Sequence, residues 1–68
     1  MDYSREDLME AKRQMDSVLH KTQQVILTLE AKENAQRYKS QITLARRRVK
    51  AFEIASALIQ QEIENEQV

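Results

Sequence analysis

The chain has sixty-eight residues, with eleven Lys and Arg against eleven Asp and Glu, one His, and no Gly, Pro, Cys or Trp. A chain this short is expected to form one domain with a thin core. Without cysteine and with a single histidine, it also lacks the disulfides and structural metals that usually support small scaffolds. Association with another chain is the support that remains, and no cofactor or metal is expected.

No apolar run approaches the roughly 18 residues of a membrane span, and the first residues lack the basic and apolar regions of a signal peptide. A cytoplasmic location is expected. Residues 1–33 hold five basic and seven acidic side chains, and residues 34–68 hold six basic and four acidic. The six basic residues of the second half, Arg37, Lys39, Arg46, Arg47, Arg48 and Lys50, all precede its first acid, Glu53.

Ser4 opens the first element. With Asp7 three residues on it forms an S-x-x-D start, in which the hydroxyl caps a free amide and the acids face the positive end of the helix dipole. The spacing predicts a first helix over about residues 5–30. Leu8, Met15, Thr22 and Leu29 recur every seven residues, flanked by Ala11, Val18 and Val25 and by Leu19 and Ile26, an apolar stripe about 100° wide.

The stripe stops after Leu29, and residues 30–37 offer only two alanines as apolar residues. A turn is predicted at about 31–35, with Asn34 best suited to a left-handed or capping conformation. A new phase then begins. Ala35, Ile42, Val49, Ser56 and Ile63 form one row, and Tyr38, Ala45, Phe52 and Ile59 the interleaved one, predicting a second helix over about 36–64. Continuing the first row by sevens would instead reach Gln36, Thr43 and Lys50, all polar. This break in register favours two arms facing each other over one long helix, which would lose its seam there. The expected fold is all-α, a single antiparallel two-helix hairpin over residues 1–68 that dimerises into a four-helix assembly. Glu64–Val68 are expected to fray.

The second helix carries more apolar surface than one facing helix covers. Leu44, Ala51, Ala55 and Leu58 form a set centred about 110° from the main row, at 100° per residue. Such a set either widens the core or receives a partner. A hairpin has no third element to cover it, so these four are the expected partner-binding residues. The alanines allow close approach and the leucines anchor the ends.

Arg46, Arg47 and Arg48 point in three directions around a helix, so a solvated face is their default role. With Lys50 they are also candidates for electrostatic contact, either with an acidic groove on a protein or, in a different class of function, with the phosphates of a nucleic acid bound by a small dimer through residues 37–50. No helix-turn-helix, aromatic stacking set or zinc spacing accompanies them. Catalysis has little support, and the chain is not expected to be an enzyme. It has no Gly-rich phosphate loop and no thiol nucleophile. His20 belongs on the back of the first helix beside Met9 and Leu27, Ser17 near it lacks a third orienting group, and Glu10, Asp16, Glu30 and Glu53 have the spacing of ordinary surface acids.

Gln36-Arg37-Tyr38 after the turn, and Ala51-Phe52-Glu53-Ile54-Ala55-Ser56-Ala57-Leu58-Ile59 further on, resemble the YscE, SsaE and EscE family of small co-chaperones of type III secretion needle proteins. The resemblance covers about 25 residues of the second helix, in a chain of similar size and pattern. The Tyr-to-Ala spacing is about one helical turn longer here, and the triple arginine is not a family signature. The resemblance implies a cytosolic adaptor that pairs with a larger helical-repeat chaperone, the two together holding the needle subunit monomeric before export.

Overall fold

The computed structural model of the chain describes residues 3–65. Two helices, α1 (Arg5–Glu30) and α2 (Lys39–Asn65), pack against each other in an all-α hairpin, joined by a short connection and a 3-10 turn, Ala35–Tyr38. The hairpin measures 51 × 15 × 14 Å.

The start of α1 follows from its cap. Ser4 is extended, with φ −68° and ψ 160°, and its Oγ accepts a hydrogen bond from the Asp7 amide at 3.1 Å. Glu6 and Asp7 lie in the first turn, where negative charge suits the dipole. At the far end, the Ala31 amide donates to the Leu27 carbonyl and the Lys32 amide to that of Leu29, which occupies two carbonyls the ending helix leaves over.

Asn34 stands at the cap of the 3-10 turn, one of its two expected roles, but not in left-handed geometry. Its φ is −103°, its side chain makes no capping bond, and no described residue has a positive φ. The reversal is instead made with right-handed geometry. The Asn34 carbonyl accepts from the Arg37 amide at 2.9 Å, the 3-10 turn tightens the chain, and α2 continues directly from it. The Lys32 ammonium sits 5.8 Å from the centre of the Tyr38 ring, a cation–π contact that spans the connection.

The apolar rows meet between the arms. Leu8, Ala45 and Ile63 are buried together with Ser56, while Met15, Leu19, Ile26, Leu29, Ile42, Val49, Phe52 and Ile59 are half-buried. No described side chain is completely enclosed, as two helices without a third layer require. Val25 departs from its expected place in the stripe. It is 50% exposed, because it lies at the stripe's edge where α2 no longer reaches. At the C-terminal end the helix runs through Asn65, so the fraying expected from Glu64 is not seen there; residues 66–68 lie outside the described part.

The one polar position in the α2 row is held in a network. Ser56, 6% exposed, donates from Oγ to Asp16 Oδ1 at 2.6 Å and accepts from Lys12 Nζ at 2.8 Å. Lys12 closes the triangle on the Asp16 carboxylate at 3.0 Å. Both capacities of the buried hydroxyl are used, so its burial leaves no unsatisfied polar atom.

Candidate partner-binding surface

The two flanks of the hairpin seam have opposite chemistry. On one flank the helices are tied by polar contacts: Lys12 and Asp16 reach Ser56, and Arg46 donates to the Glu30 carboxylate across the arms. On the other flank no hydrogen bond or ion pair among the described residues crosses between helices, and two open clefts lie along the seam. One, of about 400 Å³, is lined by Val18 and Val25 from α1 and Ala45 and Phe52 from α2, with Lys21 and Arg48 at its margins. The other, of about 380 Å³, lies toward the open end and is lined by Tyr3, Asp7, Leu8, Ala11 and Ile59.

The four expected contact residues border this apolar flank. Leu44 is 45% exposed and Leu58 59%, Ala51 is exposed, and Ala55 is half-buried. Arg48 fixes which flank they occupy. It lies in the first cleft, four residues after Leu44, three before Ala51 and seven before Ala55, all spacings that share a helix face. α1 contributes Val25, Val18 and Ala11 to the same surface, a share that reading α2 alone misses. The signal for it was present: Ala11, Val18 and Val25 form a row at one edge of the α1 stripe.

The basic run is distributed rather than gathered. Arg46 is engaged with Glu30 on the polar flank, Arg48 borders the first apolar cleft, and Arg47 and Lys50 are exposed. No single basic face results. His20 is exposed, and among the described residues no group of three His, Cys, Asp or Glu is placed to hold a metal ion. Among those residues, too, no helix is long and apolar enough to cross a membrane.

Two carboxylates have their acidity set by neighbours. The Ser56 hydroxyl first, and Lys12 second, hold Asp16 below its ordinary value against the opposing effect of desolvation. Glu10 is lowered chiefly by hydrogen bonds from Arg13 and Gln14. Asp16 binds the two arms together, whereas Glu10 contacts only its own helix.

The exposed surface measures 5487 Å². A folded globular chain of 8.0 kDa is expected to show roughly 4,400 Å², so the hairpin presents roughly 1,000 Å² more. The excess accompanies the elongated shape of the hairpin, 51 × 15 × 14 Å. Comparison with protein-family models, with curated proteins and with solved structures returns no match.

Proposed function

We propose that the chain is a small adaptor whose apolar flank docks on another helical protein. In its most specific form, it is a co-chaperone that pairs with a helical-repeat chaperone and helps keep a type III secretion needle subunit monomeric in the cytosol before export. The supporting observation is the exposed surface of Leu44, Ala51 and Leu58 beside the cleft lined by Val18 and Phe52, with no element among the described residues to cover it. An end repeat of a helical array has the matching need, since its outer face stays apolar until capped. Covering it stabilises the partner by mass action once the adaptor exceeds the dissociation constant.

The test is co-expression with a helical-repeat chaperone and needle subunit encoded beside this gene. A complex containing a single needle subunit is expected. Leu58→Glu is expected to remove the adaptor from that complex while circular dichroism shows the hairpin still helical. Failure of the wild-type chain to co-purify, or retention of the Leu58→Glu variant, overturns the reading. The nucleic-acid reading draws less support, because Arg46 is engaged by Glu30 and the remaining arginines face apart.

A further inference from the structure

Charge along the apolar flank follows two rows. On α1, Asp7, Gln14 and Lys21 stand seven residues apart, and on α2 Arg48, Ala55 and Glu62 do the same. Seven residues are nearly two turns, so each triplet runs along one side of its helix in the order of charge, neutral residue, opposite charge. Because the helices are antiparallel, like charges come side by side. Lys21 and Arg48 border the same cleft. Asp7 borders the other cleft together with Ile59, which lies three residues before Glu62 on the helix. Among the described residues none of these four charges has an opposite partner. Within one hairpin the arrangement is repulsive at both ends.

The same arrangement is complementary to itself. The midpoint of Asp7 and Lys21 is Gln14, and the midpoint of Arg48 and Glu62 is Ala55. An independent contact places these midpoints at one height along the hairpin. Lys12 and Asp16, which flank Gln14 symmetrically, both bond to Ser56, the residue after Ala55. A single two-fold axis at that height, crossing the helices, therefore sets Lys21 against Asp7 of a second copy and Arg48 against Glu62 of that copy. The cleft at Val18 and Phe52 then faces the one at Ala11 and Ile59. Ala55 lies on the axis, where a small side chain lets the helices approach closely.

We propose that the chain pairs with a second copy of itself through this apolar flank, as an isologous antiparallel dimer centred on Ala55, with four interchain charge pairs at its margins. The occupant is a second copy because the charges repel within one hairpin and match across the two-fold. The flank is also the one assigned to the heterologous partner, so self-association and partner binding exclude each other. The free adaptor is thereby held with its apolar surface covered. The dimer is tested on the purified chain alone, so its outcome is separate from that of co-purification with a partner.

The experiment is sedimentation equilibrium on the full chain and two charge-reversed variants, Lys21→Glu/Arg48→Glu and Asp7→Lys/Glu62→Lys. The wild type is expected to be a dimer. Each variant meets only like charge on its own copy and is expected to dimerise at least about tenfold more weakly. An equimolar mixture of the two variants is expected to restore a dimer, because one carries four acids and the other four bases. A monomeric wild type, a variant as tightly paired as the wild type, or a mixture of helical variants that stays monomeric overturns the proposal. Should a variant lose helicity, the wild-type background decides through a single cysteine in this cysteine-free chain. Ala55→Cys is expected to give a covalent dimer with a short bis-maleimide and Ala57→Cys is not, and equal cross-linking at both positions overturns the two-fold.

Discussion

The two flanks of one helical seam have been built to different rules. On the polar flank each charge that crosses the seam meets its opposite inside the hairpin, as with Arg46 on Glu30 and Lys12 on Asp16 and Ser56. On the apolar flank the charges near the seam are left beside like charges, and the aliphatic side chains beyond Val18 and Phe52 remain in water. A flank that satisfies itself holds the hairpin together, whereas a flank that does not is completed by another molecule. The distinction matters because both flanks belong to the same two helices and neither is visible in the overall balance of charge.

Substitutions can sharpen this contrast. The largest effect is expected at the buried seam, where Leu8→Ala or Ile63→Ala should lower stability by about 2–4 kcal/mol, read by urea or thermal unfolding. Leu58→Ala, on the exposed flank, should change the unfolding of the monomer by less than about 0.5 kcal/mol. A comparable loss at Leu58 would show that the flank is core rather than docking surface. Ser56→Ala should cost about 1 kcal/mol, because Lys12 and Asp16 then lose the hydroxyl that ties them to α2.

Acid unfolding addresses Asp16. Its folded acidity is shifted down, so its contribution is fully present above the ordinary carboxylate value and is lost as pH falls through the folded one. Asp16→Asn should remove that acid-dependent component, leaving a flatter stability profile below about pH 4. A profile unchanged by Asp16→Asn would show that the network bears no load. Arg46→Gln should also cost little, about 0.2–1 kcal/mol, since both partners of that pair stand partly in water.

Much of the fold was legible because it rests on local signals. The Ser4 cap, the sevenfold rows and the loss of phase after Leu29 each depend on residues close in sequence, and α1, the reversal and α2 follow from them. Asn34 takes the cap position but not the left-handed geometry, for a physical reason. A residue that tolerates left-handed geometry does not require it, and here a 3-10 turn closes the reversal with negative φ throughout. Ser56 could be placed on its row, but its partners could not be named, because Lys12 and Asp16 lie 44 and 40 positions away and appear as an ordinary intrahelical pair. Leu44 and Leu58 were legible as surplus apolar residues by counting faces. The share of Val25 and Val18 was signalled only by their row at the edge of the α1 stripe, and an edge is told from the centre only once the width of the facing helix is known.

The distribution of burial along the seam also bears on how the hairpin opens. Two of its best-buried apolar residues, Leu8 and Ile63, lie at the end remote from the turn, near the start of α1 and near the end of α2. Clasping that end closes the longest loop in the molecule, at an entropic cost that grows only with the logarithm of loop length. A zipper fastened best near its turn would fray progressively from the free ends. With its firmest clasp at the free ends, this one has no stable half-open form to rest in, and the arms are expected to part in a single cooperative step.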